Sequence, residues 1–180
     1  MKNFRLSLVL VSCLGLPACS YLNMTTANEL RELDPMQSDP GQYHVTIDMP
    51  EDFGLRPGSA VLTMTGERAD TGQTISGSFN LAQAETADGQ TQLKIAQADL
   101  ARFRGLQSEM KAWKEEIGDE AKGSFGFDMT PCRKVAVPQT DGDVSVQVVL
   151  EPGAAPLPLL QNVPVFRILD GRDPADLPQC

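Results

Sequence analysis

The apolar residues of this chain change their period once and then change back, and that limits the fold more than any other feature. From Leu100 to Ile117 they recur three and four apart, as Leu100, Phe103, Leu106, Met110, Trp113 and Ile117. That spacing is one stripe along a helix. Arg102, Gln107, Lys111, Lys114 and Glu115 take the opposite face, Asp99 stands where an N-cap belongs, and Gly118 stands where a helix stops. Gly105 costs about 1 kcal/mol relative to alanine, too little to break so long a stripe. On both sides of this stretch the apolar period is two, that of half-buried strands. A helix with a single apolar stripe buries it against another element, and here the strands are the partner to hand. The stripe, which holds the only tryptophan, is expected to be core. A groove for a partner is the competing reading.

The strand signals are regular. Tyr43, Val45, Ile47 and Met49 alternate with His44, Thr46 and Asp48. Ala60, Leu62 and Met64 follow the Arg56-Pro57-Gly58 turn, and Ile75, Gly77, Phe79 and Leu81 follow Asp70-Thr71-Gly72. Leu93 and Ile95 complete the first group, with turn-length connections that make an antiparallel meander the economical arrangement. Beyond the helix come Phe125, Phe127 and Met129, then Val144, Val146, Val148 and Leu150. Four prolines between Pro152 and Pro164 predict an extended, irregular loop, and Val165 to Leu169 reads as a closing strand. The fold class expected is all-β or α+β: an antiparallel β-sandwich or partly open barrel with one amphipathic helix packed on it.

The first residues are of another kind. Lys2 and Arg5 precede a run from Leu6 to Leu16 that is apolar apart from Ser7, Ser12 and Gly15, and small residues close it. This is the pattern of a secretory signal peptide, with an apolar run too short to span a bilayer. Leu16-Pro17-Ala18-Cys19 resembles the lipobox of bacterial lipoproteins. The resemblance implies that Cys19 becomes the first residue of the mature chain and carries a diacylglyceryl group and usually a third acyl chain, enough for firm anchoring. Ser20 stands where lipoproteins retained at the inner membrane often carry Asp, so the resemblance to the sorting rule implies the outer membrane. Ordinary cleavage after Ser20 is the alternative. The organisation expected is a signal peptide over 1–18, a lipidated N-terminus and flexible tether over 19–42, and a single β-rich periplasmic domain over 43–180.

Export bears on the cysteines. Cys13 leaves with the leader and Cys19 is consumed by lipid, so Cys132 and Cys180 remain in an oxidising compartment where thiols pair. A Cys132–Cys180 disulfide is expected, with a bond from one of them to another protein as the alternative.

Chemistry is scarce by comparison. A formal charge of −9 makes the chain a poor partner for nucleic acid. His44 is the only histidine and sits on the polar face of the first strand, which excludes His-rich metal sites and leaves one candidate for a triad. Asp48, Glu51 and Asp52 form one acidic cluster and Asp170, Asp173 and Asp176 another, neither with calcium-loop spacing. No nucleophile elbow, phosphate loop or zinc-protease helix is present, so no catalytic residue, metal site or cofactor is assigned. The leading expectation is a non-catalytic accessory, binding or assembly module, attached to the membrane by its lipid and binding another envelope protein. A small-ligand or glycan-binding lipoprotein is the alternative, with a carboxylate-based hydrolase third.

Overall fold

The computed structural model describes residues 39–139, 142–149, 155–169 and 171–180. The leader, Cys19 and the tether up to Ser38 lie outside the described residues. The strands are β1 (His44–Asp48), β2 (Phe53–Leu55), β3 (Val61–Arg68), β4 (Thr74–Glu85), β5 (Thr91–Ile95), β6 (Ala121–Asp128), β7 (Pro131–Arg133), β8 (Asp143–Val149) and β9 (Leu157–Pro164). Helix α1 (Leu100–Ile117) separates β5 from β6, and a single turn, α2 (Val165–Ile168), follows β9. Seven strands form one antiparallel sheet in the order β6-β3-β4-β5-β1-β8-β9, while β2 and β7 pair as a separate ribbon. The fold is α+β: the large sheet curls into a half-barrel and α1 packs on it.

Strand β4 changes neighbours part-way along its length. Its first half, from Thr74 to Asn80, pairs with β3, and its second half, from Leu81 to Glu85, pairs with β5. At the change of partner the Asn80 amide donates to Asp99 Oδ2 at 2.8 Å, and Ala96 N donates to Asn80 O at 2.9 Å. Asp99 therefore does not cap α1 as its position promised. No side-chain cap bond forms, and its carboxylate instead serves the sheet corner and Arg102. The helix does stop at Gly118, whose φ of 62° is a left-handed value that glycine adopts without steric cost.

Helix α1 lies over β6, β3 and β4. Leu100, Phe103, Met110 and Trp113 are buried as expected, with Leu106 and Ile117 half-buried. Phe103 meets Phe79 edge to face at 4.8 Å. The sheet receives the helix through glycines. Gly66 and Gly123 are cross-strand partners, and a Cβ on either would approach the Met110 side chain, at 3.0 Å and 2.5 Å respectively. A Cβ on Gly77 would lie 2.7 Å from Phe79 Cζ. Gln107, expected on the polar face, is buried at 5 % exposure. It follows Leu106 at the edge of the stripe.

Three further expectations are corrected. Within the proline-rich segment, Leu157–Pro164 is a strand: β9 is a sheet edge, where Pro158 and Pro164 need not donate to a further neighbour. Val165 to Leu169 is not a strand but a helical turn, closed by Leu169 N on Val165 O at 3.0 Å. Five residues are too few to separate the two periods, since Val165 and Leu169 are buried together either as i and i+4 or as ends of a strand. The meander holds for β3-β4-β5 but not for β1, which lies between β5 and β8. Contact with α1 reaches back ahead of β1, where Asp39 caps a turn through Gly41 and pairs with Arg104 of the helix at 2.8 Å.

One ionic network joins sheet to helix. Arg68 at the end of β3 holds Asp70 at 2.9 Å and Glu116 of α1 at 2.8 Å, with its guanidinium 5.7 Å from the Trp113 ring centre. Hydrogen bonds from Arg68 hold both carboxyls below their ordinary values of 3.8 and 4.5, and those from the Asn80 amide and Arg102 do the same for Asp99. A depressed carboxyl contributes stability above its unfolded value and loses it as pH falls through its folded value. The melting temperature is therefore expected to hold above pH 4.5 and to fall progressively below pH 3.8. Thermal melts of Arg68→Met check this: a smaller acid-dependent loss is expected, and an unchanged acid limb would exonerate the network.

Candidate functional site

The polar clusters singled out in the sequence do not assemble. Asp52 Oδ2 accepts from the Gln139 amide at 2.8 Å, and Asp173 Oδ1 accepts from the Ala175 amide at 2.9 Å; both carboxylates are spent on backbone donors. Asp170 lies outside the described residues. His44 is half-buried in a central strand, with Nδ1 3.4 Å from Gln42 O. Among the described residues no three His, Cys, Asp or Glu side chains come together.

What the fold builds instead is an apolar pocket of about 300 Å³ where the half-barrel meets the β2–β7 ribbon. Ile47, Leu55 and Val144 line it from the core, and Phe53, Val165 and Leu169 line it from a second buried cluster. Phe127, Met129 and Ile168 stand exposed at its rim, with Asp128 and Arg172 as its charged groups. Arg172 Nε donates to Leu169 O at 3.0 Å, which leaves the terminal guanidinium nitrogens for other partners.

The β2–β7 ribbon that lines the pocket is joined to the C-terminal tail. Gly54 opposes Cys132 in the ribbon, and a Cβ there would lie 3.2 Å from Cys180 Sγ, so glycine lets the disulfide rest against the strand. The bond joins Cys132 to Cys180 with Cα atoms 5.2 Å apart. The tail then continues the ribbon: Arg133 N donates to Pro178 O at 2.9 Å and Cys180 N to Arg133 O at 3.0 Å. This places Leu177 in the second cluster beside Phe53, Val165 and Leu169.

Sequence reasoning assigned the disulfide and missed the pocket. Phe53 and Leu55 flank Gly54 between Pro50 and Pro57, a three-residue alternation that was the available signal for β2. The i, i+4 pair Val165 and Leu169 was the signal for α2. The rest of the pocket comes from elements distant in sequence. No protein-family model, curated protein or solved structure matches the chain. Among the described residues no helix is long and apolar enough to cross a membrane.

Proposed function

We propose that the protein is a non-catalytic binding module of the bacterial cell envelope, anchored at the outer membrane by lipid on Cys19, and that its pocket takes the apolar chain of a small anionic amphiphile. The pocket carries the reading. Its walls are almost wholly apolar, its volume is at the small end of those of ligand sites, and a guanidinium with free donors stands at its margin. An apolar tail matches the walls, and an anionic head matches Arg172. A tether of about twenty residues would let the domain reach ligands near the membrane surface.

Two measurements test it. Titration of the purified chain with a fluorescent medium-chain fatty acid should show saturable binding, weakened about tenfold by Arg172→Ala, the loss of one charge-assisted hydrogen bond. Absence of saturable binding, or binding indifferent to Arg172, would remove the pocket as the site. For the anchor, Cys19→Ser should shift the protein from the outer-membrane fraction to soluble or unprocessed material. A Cys19→Ser protein that stays processed and fractionates with outer membranes would sink the lipobox reading.

A second reading, an assembly module that grips another envelope protein, draws on Phe166 and Val137, both exposed. It replaces the first if crosslinking in intact cells traps a protein at the pocket rim and no amphiphile binds.

A further inference from the structure

The two edges of the large sheet are unlike each other. Strand β9 carries Pro158 and Pro164, register irregularities against β8, and Asn162 at a φ of 50°. Those features blunt an edge against further pairing. Strand β6 has none of them. It pairs with β3 in unbroken register over all eight residues, from Ala121 to Asp128, and contains no proline. Among the described residues nothing pairs with its outer side. Its apolar residues are also uncovered: Phe125 is 47 % exposed, Phe127 39 %, and Met129 just beyond it 37 %.

The direction of the free hydrogen-bonding groups follows from the ladder. Ala69 N donates to Glu120 O at 3.0 Å, one step beyond the Arg68–Ala121 pair. Antiparallel bonding alternates, so the even-numbered residues of β6 are bonded to β3. Ala121, Gly123, Phe125 and Phe127 therefore direct their amides and carbonyls outward.

We infer that β6 is a self-pairing edge, which joins two copies of this chain antiparallel about a two-fold axis at Phe125. That register satisfies the bonding alternation, because it sets outward-facing residues against one another: Phe125 on Phe125, and Gly123 on Phe127 of the second copy. An aromatic ring then covers a glycine on the neighbouring strand, a recognised way of stabilising a glycine in a sheet. The same register sets Lys122 against Asp128 of the second copy, twice by symmetry, and extends to Ala121 against Met129. Neither Lys122 nor Asp128 has an ion-pair partner within its own chain among the described residues. Of the two-folds centred from Gly123 to Phe127, this one alone opposes Lys122 to a carboxylate. A centre at Ser124 would instead set Glu120 against Asp128. Charge therefore selects the register, and the exposed phenylalanines gain cover from it.

The test uses the full chain in detergent solution. Sedimentation should give a dimer of the protein, and Lys122→Asp should weaken it about tenfold by opposing like charges twice, with recovery in the Lys122→Asp/Asp128→Lys double variant. Register is read by disulfide trapping under mild oxidation. Phe125→Cys should form a covalent dimer with itself, since opposed Cα atoms in such a pair are about 5.5 Å apart. Lys122→Cys and Asp128→Cys should each form no covalent dimer alone and crosslink when mixed. A chain that sediments as a monomer, Phe125→Cys that fails to crosslink, or self-linking by Lys122→Cys alone would each overturn the inference. So would an edge occupied by a different protein or by residues 1–38 of the same chain.

Discussion

Replacing Phe103 by alanine should destabilise the domain by about 3–5 kcal/mol, the range for emptying a large aromatic site in a packed core. Phe103 is the most deeply buried member of the α1 stripe and rests edge to face on Phe79, which is itself fully buried. The vacated space cannot readily collapse. Phe79 is held from one side by Gly77, where a Cβ would come within 2.7 Å of its ring, and from another by Arg102, whose guanidinium lies 4.6 Å from the ring centre. Thermal melts should show a loss of roughly 10 °C or more for a domain of this size. A shift of only a degree or two would mean that α1 is not integral to the core.

Removing the disulfide with Cys132→Ser and Cys180→Ser is the other large effect. The bond spans 48 residues of separation, and the chain-entropy estimate for such a loop is about 4 kcal/mol. The loss should be local as well as global. Without the bond, the tail retains its backbone pairing to Arg133, the hydrogen bond from Arg133 Nε to Leu177 O and the burial of Leu177. Hydrogen exchange should show early opening at Leu177 to Cys180 and around Phe53, while β3, β4 and α1 stay protected. If pocket and tail retain native protection in the double-serine protein, the bond is not what holds that end together. Ligand titration of the same protein asks whether the pocket survives without it.

Much of the architecture was legible because two periods were cleanly written. The stripe from Leu100 to Ile117 and the alternations in β1, β3, β4, β5, β6 and β8 follow from local geometry that repeats over enough residues to exclude the alternative. Where the run was short, the period was ambiguous. Val165 to Leu169 fitted a strand and formed a turn of helix, and Phe53 to Leu55 was too brief to register. The prolines of β9 point to a loop because proline forbids an interior strand. At an edge it forbids much less, and edge position is not a local property. Asp99 had two claims on it, a helix cap and a sheet corner, and the corner won because the Asn80 amide would otherwise lack a partner where β4 changes neighbours.

The sequence by itself determined most of the secondary structure, the placement of α1 among the strands and the pair of cysteines that bond. All of these depend on residues near one another or on simple counting. Strand order, the change of neighbours along β4 and the closing of the pocket by β2, β7 and α2 were decided only in three dimensions. The physical reason is that a strand's alternation says which face is buried but carries no label for its neighbour. Burial against a neighbour is a property of the pair. The same reason governs Phe125 and Phe127: their alternation with Gly126 is a strand's, yet they stand exposed on β6, an edge of the sheet.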